Sequence, residues 1–152
     1  MDEAALTRYI TDTFAGLETV SAEGVTVFSY NPDHKPSAGV YFATLKGRDD
    51  EHDDVSQLER PSVFRLSLAI TEATYTTLFG PPPPRPGDDG IIETHHDFTA
   101  LDQLTPHPAY AYLAWVCVLS PGAATMETVR SLLAEAYAQA VSRHGQAPVE
   151  GQ

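Results

Sequence analysis

The segment Val63-Phe64-Arg65-Leu66-Ser67-Leu68-Ala69-Ile70 decides the fold. Successive side chains of an extended chain point to opposite faces, so Phe64, Leu66, Leu68 and Ile70 share one side. Val63, Arg65, Ser67 and Ala69 share the other. One side is uniformly apolar, while the other is mixed and carries a charge. The pattern is that of a strand with a single face on a core.

The flanking sequence extends the same theme. Upstream, Glu18–Glu23, the turn signal Gly24 and the run Val25-Thr26-Val27-Phe28-Ser29-Tyr30 read as a hairpin, broken by Asn31-Pro32-Asp33. Val40–Lys46 is a further strand. Before them, residues 3–15 read as a helix, with Leu6, Tyr9, Ile10, Thr13, Phe14 and Leu17 spaced as one buried face and Gly16 as its stop. Downstream, Thr71 caps a short helix that buries Tyr75, Leu78 and Phe79 and leaves at Gly80. Pro81–Asp89 contains four consecutive prolines and fits an extended surface segment. Thr99-Ala100-Leu101-Asp102 reads as a capping box opening a short helix that Pro106 ends. Tyr110–Leu119 is apolar on both sides and reads as a central strand. Met126, Val129, Leu132, Leu133, Ala136, Tyr137, Ala140 and Val141 form the stripe of a long closing helix.

This order lacks the regular βαβ alternation of a parallel sheet. The expected architecture is therefore α+β: an antiparallel sheet with the N- and C-terminal helices packed mainly on one face. Residues 1–144 are expected to form one domain and 145–152 a flexible tail.

Charge narrows the function. Nine Lys and Arg stand against 21 Asp and Glu, a formal charge of −12 that repels nucleic acids and anionic membranes. Nucleic-acid binding is disfavoured. The longest apolar stretch is about half the length a bilayer span requires. The acidic start Met1-Asp2-Glu3 is unlike a signal peptide, and the single cysteine, Cys117, excludes an internal disulfide. A reducing cytoplasm is the expected location, with Cys117 as a small buried hydrophobe.

Three stretches carry a resemblance: Arg60–Leu66, Asp97–Asp102 leading to Pro106–Tyr110, and Trp115–Pro121. With the final helix they resemble an uncharacterised actinobacterial family of unknown function, over nearly the whole chain. That resemblance implies a fold and no activity. More distantly the layout is similar to MmcQ/YjbR-like proteins, which place a Trp-bearing strand before a long closing helix with a central tyrosine, here Trp115 and Tyr137. The resemblance implies a YjbR-like fold. It also implies DNA binding, a role this acidic chain lacks the basic surface to share.

Candidate chemistry divides into three groups. His95, His96, Asp97 and His107 are metal-ligand types, but their spacing matches no strong zinc motif, and a surface dyad of histidines is common. No metal and no cofactor is favoured. Asp49, Glu51 and Asp53 alternate like a calcium loop, yet Asp54 stands where glycine is required and Arg60 where the closing glutamate belongs. A solvated loop is the better reading.

The third group is a polar pocket. Arg65 inside a sheet needs a carboxylate, for which Asp97 or Asp102 is the expected partner, and Pro106 and Pro108 fix His107. If Arg65, Asp97, Asp102, His107 and Trp115 converge, they form a site for a small anionic or aromatic ligand. The blander alternative is a structural salt bridge and a hydrogen-bonded histidine.

No nucleophile elbow, P-loop or dinucleotide fingerprint occurs. The expectation is a binding or interaction module, monomer or homodimer, for a small molecule or a protein. The Pro81–Asp89 segment and Tyr110-Ala111-Tyr112 are candidate contact surfaces. The alternative is an enzyme using His107 as acid or base, oriented by Asp102 or Asp97.

Overall fold

A computed structural model describes residues 2–36, 38–51, 53–88 and 90–144; the expected tail at 145–152 lies outside them, as do His52 and Asp89. Strands β1 (Leu17–Ala22), β2 (Val25–Tyr30), β3 (Val40–Lys46), β4 (Arg65–Ala69), β5 (Leu104–Pro106) and β6 (Trp115–Leu119) form one sheet in the order β1-β2-β3-β4-β6-β5. Every strand pairing in it is antiparallel. Helices α1 (Glu3–Thr13), α2 (Glu72–Phe79) and α3 (Met126–His144) complete the α+β fold.

The alternation read in residues 63–70 sets the layers. Leu66 and Leu68 pair with Leu45 and Ala43 on one side and with Val118 and Val116 on the other. All six are buried in a core closed by Leu6 and Ile10 of α1 and Val129, Leu133, Ala136 and Ala140 of α3. The terminal helices thus share one face of the sheet. A register shift between β2 and β3 leaves Phe42 without an opposite residue. That extra residue lets both Phe42 and Ala43 turn inward. Phe42 then meets Phe14 and Tyr137 edge to face, at 6.2 and 5.7 Å.

α3 also ties down the β4–α2 corner. Glu135 accepts from the Thr71 N–H and from the hydroxyls of Thr71 and Thr74, while the Gln139 amide donates to the Ala69 and Ile70 carbonyls.

The two sheet edges differ. Thr19–Ala22 of β1 are exposed, whereas β5 is three residues long, ends in Pro106 and is largely buried.

Two expectations are corrected. Residues 99–106 do not form a helix: Leu101 bridges Leu119 and 104–106 add a strand to β6. Asp102, with φ 53°, instead reaches across the sequence to the turn before α3. It accepts from the N–H groups of Gly122 (2.7 Å), Ala124 (3.0 Å) and Thr125 (3.1 Å) and from the Thr125 hydroxyl. A side chain at Gly122 would crowd this carboxylate, at 3.2 Å. The Thr125 hydroxyl, with the three amides, holds the Asp102 carboxyl below its ordinary range despite an opposing contribution from burial. Asp102→Ala should therefore lower unfolding free energy by about 1–2 kcal/mol, as loss of a helix cap does. The contribution should be present above the ordinary carboxylate pKa and lost as pH falls through the lowered one. Urea melts check it; equal stability of variant and parent would show that water replaces the carboxylate.

Tyr110–Leu119 is likewise not one strand. Residues 111–113 form a tight 3-10 turn closed by Ala114 at φ 65°, and the strand begins at Trp115. The run is apolar on both sides because it changes geometry half-way, and no Gly or Pro marks the change.

Candidate functional site

The sheet face away from α1 and α3 is polar. Antiparallel register sets Lys46, the last residue of β3, directly opposite Arg65, the first of β4. Like charges in that position repel, so the pair requires an acid. The β3–β4 connection supplies it. Asp53 takes both terminal guanidinium nitrogens of Arg65, one at 3.3 Å, and the Lys46 ammonium at 3.3 Å. Asp50 accepts from Lys46 at 2.6 Å, and the Ser56 hydroxyl from Arg65 at 3.1 Å.

These charges are unequally covered. Side-chain exposure is 3% for Arg65, 10% for Lys46 and 16% for Asp53, but 51% for Asp50. Burial pushes the Asp53 carboxyl up, yet hydrogen bonding and charge from Arg65, then Lys46, outweigh it and hold the group at about 2. Among the described residues the Nε of Arg65 is the buried side-chain polar atom that meets no hydrogen-bond partner.

His107 follows β5 and precedes the tight turn. Its Nδ1 accepts from the N–H groups of Ala109 (2.9 Å) and Tyr110 (3.0 Å). The ring proton must then sit on Nε2. Burial first, and the Arg65 charge second, push the imidazole down to about 3, so it is neutral at physiological pH. Tyr110 leans on the ring with centroids 5.0 Å apart, and Trp115 meets it edge-on at 6.3 Å.

Lys46, Arg65, Asp53 and His107 line a cleft of about 890 Å³. Tyr110, Tyr112, the end of the proline segment (Arg85–Asp88) and Ile91 line it as well. The Arg85 guanidinium lies over the Tyr112 ring at 5.5 Å. The Pro108 carbonyl accepts from the Ile92 N–H at 2.6 Å, fastening the proline segment beside His107.

The structure brings Arg65 and His107 to this cleft and sets Trp115 against His107, but it does not bring Asp97 or Asp102. Asp102 caps the turn before α3. Asp97 is exposed and closes a local turn with the Thr99 amide and hydroxyl, at 2.9 and 2.6 Å, which lower its carboxyl pKa. The expected partner of Arg65 is corrected accordingly: it is Asp53. His95 is exposed, and His96 lies edge-on to Phe79 at 5.3 Å. Among the described residues no three His, Cys, Asp or Glu side chains are grouped to hold a metal ion. Cys117 is buried beside Thr105, and burial raises its thiol pKa. Sequence alone left out Lys46 and Asp50 and gave Asp53 only as part of a calcium-like alternation, whereas Tyr112 and Arg85 lie within the expected contact surfaces. A signal for the first three was present: two cations at facing strand ends, joined by an acidic connection.

The model of a family of unknown function, DUF6194, matches residues 1–148. The chain belongs to this family. DUF6194 carries no assigned activity. No curated protein and no solved structure matches the chain. No helix of the described DUF6194 residues is long and apolar enough to cross a membrane.

Proposed function

We propose that this protein is a non-catalytic binding module, one domain over residues 1–144, that receives a small molecule on the polar face of its sheet. The observation that carries this reading is the concavity lined by Arg65, Lys46 and His107, where the sheet has polar side chains and, among the described residues, no α-helix contributes to the lining. A protein that needed only stability would gain more from apolar residues there. Tyrosine walls suit ligand recognition, because they offer large area at small entropy cost.

Acid/base catalysis by His107 is the weaker reading. Its Nδ1 lone pair is engaged by two amides, its Nε2 already carries a proton, and its pKa lies far from neutrality. The single buried thiol favours a reducing cytoplasm. The Trp115 strand before α3, with Tyr137 on that helix, supports a YjbR-like relationship, and the quoted motifs support an actinobacterial source. The charge of −12 argues against carrying over a DNA-binding role.

Screening of fragments by amide NMR tests the binding reading. Perturbations should gather at residues 107–112, Lys46 and Arg65. A chemically broad set that leaves these signals unmoved would remove it.

A further inference from the structure

We infer that the ligand of this cleft is a small aromatic monocarboxylate, held at its acid end by Arg65 and His107. The inference rests on the binding reading above and adds the class of ligand.

Two N–H donors of cleft-lining residues can serve a ligand, and the Arg65 one is buried without an acceptor among the described residues. Arg65 uses its terminal nitrogens on Asp53 and Ser56, which leaves the Nε–H unmatched. His107 uses Nδ1 as an acceptor, which leaves the Nε2–H. A buried donor without an acceptor is costly, more so when charged, and an oxygen entering the cleft recovers that cost. A carboxylate brings two oxygens on one planar group, enough to serve both donors.

Charge keeps the ligand's own negative charge small. At the covered end two cations, Lys46 and Arg65, face one well-covered carboxylate, Asp53, and one half-exposed carboxylate, Asp50, which holds Lys46 at 2.6 Å. Arg65, the most deeply covered of the four at 3% exposure, keeps an unmatched donor there. The His107 imidazole is held neutral by burial first and by Arg65 second, with Asp53 opposing. Farther out, Glu23, Glu51 and Asp88 also line the cleft, so a second or third negative charge on the ligand would meet repulsion. Phosphates and other polyanions are thereby selected against. The body of the ligand would lie against Tyr110, Tyr112, Ile91 and Pro86, a wall that stacks and packs against a ring.

The test needs no variant. With ¹⁵N-labelled protein, the Arg65 Nε–H and His107 Nε2 resonances are followed during titration with benzoate, benzamide, benzylamine and inorganic phosphate at matched ionic strength. Benzoate should move both resonances and protect the Arg65 Nε–H from exchange with water. It should bind roughly tenfold or more tightly than benzamide, the ratio expected when a neutral acceptor replaces a charged one. Phosphate shifting the two donors as strongly as benzoate would overturn the single-charge argument. Benzamide or benzylamine moving Tyr110 and Tyr112 while no probe moves Arg65 or His107 would overturn the acid class and leave the binding reading standing. Silence of every cleft residue towards all four probes would overturn both.

Discussion

Asp53→Ala should lower unfolding free energy by about 3–5 kcal/mol, the effect of removing one member of a buried ion pair. The mechanism is the stranding of Arg65, not the loss of attraction as such. Arg65 is 3% exposed and would keep only the Ser56 hydroxyl among its acceptors. Lys46 suffers less, because Asp50 still accepts from it at 2.6 Å. The double change Asp53→Ala with Arg65→Met should recover most of the loss, since it removes the orphaned charge along with its partner. Urea unfolding of the two variants checks both statements. A single-variant effect below about 1 kcal/mol would mean that water reaches Arg65 and that the cleft base is wetter than described.

Acidification should destabilise the protein through His107 before most carboxylates titrate. The folded imidazole has a pKa of about 3 against an ordinary value of 6.5. Between those limits the unfolded chain binds a proton that the native chain refuses, so stability rises with pH across that window and falls as pH drops through it. From pH 7 to pH 5 the loss from this one residue should be about 2 kcal/mol. The groups facing the ring act as follows: Arg65 and Lys46 lower its pKa, and Asp53 opposes them. Asp53 itself is held at about 2 and releases its stabilisation only below the ordinary carboxylate range. His107→Gln should flatten the dependence between pH 7 and 5, measured as urea midpoints across the range. The same slope in variant and parent would place the imidazole in contact with water.

Legibility of the chain followed periodicity. The alternation at Val63–Ile70 and the stripe of α3 were readable because apolar side chains repeat at the period of the element, although β4 spans Arg65–Ala69 and is buried on both faces, and Val141 of the stripe is exposed. Residues 99–119 failed for a physical reason. Asp102 has the chemistry of a helix cap, but the amides it satisfies lie 20 to 23 residues later, where no local window looks. In Tyr110–Leu119 the switch from tight turn to strand rests on one left-handed alanine, a conformation that the residue type gives no reason to expect. The site was legible in part. Arg65 announces itself as a charge in a strand, and His107 as a histidine between prolines. The acid that completes Arg65 was hidden among five others in residues 49–59, since choosing Asp53 requires knowing that Lys46 and Arg65 stand side by side.

The unequal borders of the sheet limit how copies of this chain can combine. Backbone groups of β1 face water along Thr19–Ala22, whereas the opposite border ends in a covered three-residue strand closed by a proline. A strand-to-strand union of two copies through β1 would be twofold symmetric and would use up the open border of each. The product would have a blocked rim on both outer sides. Growth by that route would stop at a pair, so an open border of this kind would not by itself seed a fibre.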